Sequence, residues 1–210
     1  MDVLNRLRAF PFIAILRGVR PDEVLALSDI LIETGFQVIE VPLNSPEPLR
    51  SIERLATALP DTLIGAGTVL SPAAVADVQQ AGGRLILMPH SDGAVVREAK
   101  QRGLACVPGV ATPTEAFAAL ANGADALKMF PAEQMPPAVV GAWRAVLPAG
   151  VALVPVGGIV PEKVAAYRQA GAAGFGLGSA LYKPGLSASE LRLRARAFRD
   201  CLAGAAESAG

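Results

Sequence analysis

The chain has one histidine, two cysteines and one tryptophan in 210 residues, and neither sign of charge is in excess. A zinc site built on several histidines is therefore out of reach, and with it the metal-dependent way of stabilising an enolate. Cys106 and Cys201 stand far apart and make no disulfide framework, so a reducing cytoplasm is the expected location. Nineteen basic side chains balance nineteen acidic ones, which leaves no basic field to gather nucleic acid or an anionic membrane. Hydrophobic residues make up 52% of the chain, but Gly and Pro break them into runs far below the ~18 residues of a membrane span. The run Ala9–Leu16 after Arg6 and Arg8 resembles the core of a signal peptide. Arg17 ends it without a small-residue cleavage site, and it reads better as a first buried strand. No Walker loop, Gly-x-Ser-x-Gly elbow or Gly-x-Gly-x-x-Gly helix start is found, so a nucleotide cofactor and a serine triad both lack support. No cofactor and no metal are expected.

What is present is a repeated unit. An apolar run is followed by a proline that should open a helix, at Pro21, Pro46, Pro72, Pro113, Pro136 and Pro161. Ser45, Ser71 and Thr112 precede three of these as candidate N-caps, and acidic residues such as Glu115 and Glu162 fall in first turns. Glycines such as Gly35, Gly82, Gly103 and Gly171 stand where a helix should turn into the next strand. The runs give eight candidate strands: Phe12–Arg17, Gln37–Leu43, Leu63–Gly67, Arg84–Met88, Leu104–Val107, Ala124–Met129, Val151–Val156 and Ala173–Leu177. Several are apolar without alternation, as parallel strands covered on both faces should be. Eight such units in one domain over residues 1–210 predict an α/β fold, a compact (β/α)8 TIM barrel, with an open doubly wound sheet as the alternative.

In such a barrel the chemistry lies at the carboxyl ends of the strands. Arg17 ends strand 1, Glu40 lies near the end of strand 2, Thr68 follows strand 3, and Lys128 is near the end of strand 6. Alternation groups Ile13, Ile15 and Arg17 on one side, Val38 with Glu40, and Ala126 with Lys128. If those sides face inward, an arginine, a glutamate and a lysine converge. Burial lowers a lysine's pKa and frees the neutral amine that Schiff-base chemistry requires. The alternative is a structural ion network. Gly157-Gly158 after strand 7 and Gly178-Ser179 after strand 8 stand where backbone N–H groups often bind phosphate. His90, after strand 4, reads as a loop or rim residue.

The segments Ile13-Ala14-Ile15-Leu16-Arg17-Gly18, Glu40-Val41-Pro42-Leu43-Asn44-Ser45-Pro46, Gly65-Ala66-Gly67-Thr68-Val69-Leu70, Pro108-Gly109-Val110-Ala111-Thr112-Pro113-Thr114-Glu115 and Leu127-Lys128-Met129-Phe130-Pro131-Ala132-Glu133 resemble the 2-keto-3-deoxy-6-phosphogluconate and -galactonate aldolase family. The similarity runs from about residue 8 to residue 205. It implies a class I aldolase in which Lys128 forms the Schiff base and Glu40 shuttles protons. Thr68 would contact the pyruvate carboxylate. Arg17, Gly158, Gly178 and Ser179 would hold the phosphate end, beside Gly157, and Pro89 and Phe130 would pack around the imine. Pyruvate and glyceraldehyde 3-phosphate would be the products, and a homotrimer the assembly.

Two departures from the gluconate-type pattern look like the galactonate branch. Pro42-Leu43-Asn44-Ser45 replaces a stretch that commonly carries an arginine, and Val156 replaces a threonine before the Gly-Gly pair. Valine cannot hydrogen-bond a C4 hydroxyl, so the pocket should favour the other epimer or become indifferent, and the expected substrate is 2-dehydro-3-deoxy-6-phosphogalactonate. A gluconate-epimer or 4-hydroxy-2-oxoglutarate aldolase of the same family is the alternative. A phosphosugar isomerase, a thiamin-phosphate-type synthase and a non-catalytic phospho-keto-acid binding barrel are the more distant rivals.

Overall fold

The computed structural model describes residues 3–207. Strands and helices alternate along it. Helix α1 (Val3–Ala9) precedes β1 (Phe12–Ile15), followed by α2 (Val24–Thr34), β2 (Val38–Pro42), α3 (Pro48–Ala58), β3 (Leu63–Gly67) and α4 (Pro72–Gln80). Next come β4 (Leu85–Leu87), α5 (Gly93–Gln101), β5 (Ala105–Val107), β6 (Gly109–Val110) and α6 (Pro113–Ala121). The last part holds β7 (Ala126–Met129), a 3-10 turn over Ala132–Gln134, α7 (Pro137–Arg144), β8 (Ala152–Pro155), α8 (Pro161–Gln169), β9 (Phe175–Leu177) and α9 (Ala188–Glu207).

Every strand pair is parallel. One sheet has the order β5-β4-β3-β2-β1-β9 and the other the order β6-β7-β8. The expected fifth strand is found as β5. Strand β6, not anticipated from the sequence, follows Pro108, a residue with no N–H for the ladder. Backbone bonds cross the seam between the two sheets, from Asp125 N to Cys106 O at 3.0 Å and from Lys128 N to Pro108 O at 2.9 Å. At the opposite edge a parallel bridge joins Val156, just past β8, to Gly176 of β9.

The strands separate two apolar clusters. One contains Ile13, Ile15, Val38, Leu63, Ala126 and Val154, and the other contains Phe12, Ala14, Leu16, Ile39, Ile64 and Leu127. Alternate residues of one strand thus fall in different clusters, as the pleat requires. Glu40 follows Val38, and Lys128 follows Ala126, onto the side of the first cluster. Helix α1 was not anticipated from the sequence. Its Val3 and Leu7 are buried in that same cluster, and Leu7 packs against Gly174 just before β9.

Three helix starts differ from expectation for one reason each. Pro21 lies in a turn closed by Glu23 N to Arg20 O, and α2 begins only at Val24. Pro46 does not open α3, because Glu47 stands before Pro48 and a residue before proline is pushed out of the right-handed helical region. Glu47 adopts φ 41, and the helix starts at Pro48. Pro137 acts likewise on Pro136, whose ψ is 167. Ser45 is therefore no cap. Ser71 and Thr112 are caps as expected, Thr112 within a full capping box with Glu115. Among the described residues no helix is long and apolar enough to cross a membrane.

Candidate active site

Glu40 is only 1% exposed in the middle of β2. Its carboxylate fits because Gly67 on β3, two residues past the register partner Gly65, has no side chain, and a methyl group there would collide with it. Oε2 of Glu40 has no hydrogen-bond partner. Burial raises the Glu40 pKa from 4.5 to about 7, against the pull of the Lys128 and Arg17 charges and a backbone hydrogen bond from Gly67. Lys128 is 6% exposed on β7, in register with Gly109 of β6 and Val154 of β8. Burial, and secondarily Arg17, lower its pKa, while Glu40 opposes them. Its Nζ lies 4.6 Å from the centre of the Phe130 ring. An amine with a lowered pKa is nucleophilic, and a carboxyl poised near 7 both gives and takes protons at neutral pH.

Arg17, past the end of β1, is exposed and reaches the site from the rim. Its field acts on both Glu40 and Lys128, so the three charges do converge. Its Nη1 donates to Asn44 Oδ1 at 2.8 Å, and the neighbouring Gly18 amide donates to Ser45 Oγ at 2.9 Å. The hydroxyl expected to cap a helix instead ties the β1 exit to the β2 exit. Thr68 is half-buried after β3 with φ 56, a left-handed conformation that a β-branched residue enters only under strain. Such strain clusters at ligand sites.

Pro89, half-buried after β4, lies against Gly109, where a methyl group would come within 2.6 Å of the Pro89 carbonyl. Val156 is 5% exposed and turned toward Gly176. The Val156–Gly176 bridge brings Gly157-Gly158 and Gly178-Ser179 to adjacent strand exits. Gly157 and Gly158 have φ 109 and 60, conformations that glycine alone tolerates easily. Among the described residues the amides of Gly158 and Ser179 donate no hydrogen bond. His90 is exposed, and its carbonyl accepts from the Gly109 amide.

Sequence reasoning missed Asn44 as the partner of Arg17, Gly67 as the space for Glu40, and Glu133 as the neighbour of Gly157-Gly158. All three lie in the quoted motifs, which was the available signal. Which contact each makes depends on two strands being adjacent.

The family model for KDPG and KHG aldolase matches residues 3–196. A probable 2-dehydro-3-deoxy-6-phosphogalactonate aldolase of Rhizobium meliloti (strain 1021) is 50% identical over 186 residues, 88% of either chain. The 2-dehydro-3-deoxy-6-phosphogalactonate aldolase of Escherichia coli (strain K12) is 47% identical over 189 residues, 90% of this chain and 92% of that one. A solved structure described as native KDPGal superposes with a TM-score of 0.92 at 44% identity, covering 94% of this chain and 97% of that one. The chain belongs to the KDPG and KHG aldolase family.

Proposed function

We propose that this protein is a class I aldolase that cleaves 2-dehydro-3-deoxy-6-phosphogalactonate to pyruvate and D-glyceraldehyde 3-phosphate. The single observation that carries the reading is a buried lysine, Lys128, within the field of a buried carboxyl that titrates near neutrality, Glu40. Identity to two phosphogalactonate aldolases at 47% and 50% supports the substrate.

Lys128 Nζ attacks the C2 carbonyl, and the resulting carbinolamine loses water to give an iminium. Glu40 then takes the C4 hydroxyl proton as the C3–C4 bond breaks. The electrons of that bond flow into the iminium and leave an enamine, while the aldehyde departs. Protonation at C3 and hydrolysis release pyruvate and restore the amine. Thr68 serves the carboxylate. Pro89 and Phe130 flank the imine and exclude water. Arg17, Gly158, Gly178 and Ser179 hold the phosphate, and the unengaged amides of Gly158 and Ser179 among the described residues support that assignment. Val156 offers no hydrogen bond at C4 and so favours the galactonate epimer.

The fold reading is a single (β/α)8 barrel domain. The bonds across the β5–β7 seam and the Val156–Gly176 bridge support closure, with β5 and β6 as one interrupted strand. A homotrimer and a cytoplasmic location complete the proposal. Two free, separated cysteines suit the latter, with the Cys106 thiol pushed by burial to about 12.

Incubation with pyruvate and borohydride, followed by mass spectrometry, tests the chemistry. A reduced pyruvate adduct on Lys128 is expected. Its absence overturns the aldolase reading and leaves a binding barrel.

A further inference from the structure

Two neighbouring residues at the exit of β1 meet two neighbouring residues at the exit of β2. Arg17 Nη1 donates to Asn44 Oδ1 at 2.8 Å, and the Gly18 amide donates to Ser45 Oγ at 2.9 Å. Just before them Leu16 N donates to Glu40 O at 3.0 Å, so this latch begins where the β1–β2 pairing ends. Ser45 is buried, and its amide closes a turn on Pro42 O at 2.9 Å. Gly18 is confined from the other side, because a methyl group there would come within 2.7 Å of Pro184 Cγ. The backbone beside Arg17 is thus held on two sides. Its guanidinium is exposed and makes one hydrogen bond among the described residues, the one to Asn44.

An arginine at a rim loses rotamer freedom when it engages an anion, and a partner that holds it beforehand removes part of that cost. Asn44 suits the task because it is a neutral acceptor. It occupies one N–H of the fork and leaves the charge and the other donors for a ligand, whereas a carboxylate in its place would cancel the charge. The held position also bears on the reacting pair. Burial acts first on Glu40 and Lys128, and the Arg17 charge lowers the pKa of both. We propose that Asn44 is a positioning residue for the cleavage: with Ser45 securing the backbone, it holds the Arg17 guanidinium at the mouth of the site, ready for the phosphorylated end of the substrate. The inference rests on the aldolase reading and on Arg17 binding that end.

The test is a double-mutant cycle of Arg17→Ala and Asn44→Ala, read as kcat/KM for the phosphorylated keto-deoxy acid. Asn44→Ala alone should lower kcat/KM about three- to tenfold, chiefly through KM, since an exposed hydrogen bond to a charged group is worth less than a buried one. In the Arg17→Ala background the same change should do nothing, because Asn44 then has no guanidinium to hold. The pH profile gives a second readout. A released Arg17 no longer opposes protonation of Lys128 and Glu40, so both limbs of kcat/KM should move to higher pH in Asn44→Ala. An equal loss from Asn44→Ala with and without Arg17 overturns the inference, because a purely structural defect would persist in both backgrounds. An unmoved pH profile, or an Arg17→Ala variant with wild-type kinetics, overturns it as well. Pyruvate–borohydride trapping runs alongside, since pyruvate has no phosphorylated end. An adduct on Lys128 in wild type and variants beside additive losses sinks the role of Asn44 alone, whereas no adduct in wild type sinks the aldolase reading beneath it.

Discussion

Replacing Glu40 with glutamine should make the protein more stable at alkaline pH while removing most of its activity. Glu40 is buried, one of its oxygens has no partner, and its pKa rises from 4.5 to about 7. A carboxyl whose folded pKa is raised holds its proton more tightly in the native state than in the unfolded one. Between pH 4.5 and about 7 the native state binds more protons, so stability falls as pH rises through that window. At about 1.36 kcal/mol per pH unit, the whole climb amounts to roughly 3 kcal/mol, an order-of-magnitude figure. Glu40→Gln lacks this term. The variant should match wild type near pH 4.5 and exceed it by up to about 3 kcal/mol at pH 8. Urea unfolding at several pH values measures the difference, with pyruvate absent so that no adduct contributes. Activity should fall by ~10²–10⁴, the usual worth of general acid–base help, with pyruvate binding retained. A stability difference that does not grow with pH would refute the burial argument. Near-normal turnover would instead make Glu40 a structural ion-network partner.

Lys128→Ala should abolish cleavage, and Lys128→Arg should do nearly as badly because guanidinium is not nucleophilic at neutral pH; appreciable turnover by either variant would end the Schiff-base assignment. Val156→Thr should move the kcat/KM ratio of the two C4 epimers toward gluconate by roughly ten- to a hundredfold, since an unpaired buried hydroxyl costs about 1–3 kcal/mol; strong gluconate preference in wild type would show that Val156 does not set the choice. Gly67→Ala places a methyl group against the Glu40 carboxylate, so overpacking of about 1–3 kcal/mol and a displaced pH–rate profile are expected, and an unaltered profile would show that Glu40 does not depend on that gap.

The site was legible where local chemistry announces it. A lysine in Ala126-Leu127-Lys128-Met129 and a glutamate in Val38-Ile39-Glu40-Val41 are charges in apolar strands, and strand alternation put each with the correct neighbours. The helix starts at Ser71-Pro72 and Thr112-Pro113 were readable because capping is decided within four residues. Pro46 and Pro136 misled because a second proline or a pre-proline residue follows at once, and that local rule was overlooked rather than hidden. Helix α1 could not be found the same way. Seven residues have little helical preference of their own, and α1 is held by Val3 and Leu7 against strands far along the chain.

By itself, then, the sequence determined the parallel βα repeat, the two buried charged residues, the glycine pairs and the family, since each is written in short-range pattern. Only the tertiary structure decided that Gly67 makes the space for Glu40, that Asn44 holds Arg17, that Ser45 ties two strand exits together and that Glu133 lies over Gly157-Gly158. Those contacts join residues on different strands or turns, and their distances follow from sheet order and register, which no local pattern of residue types contains.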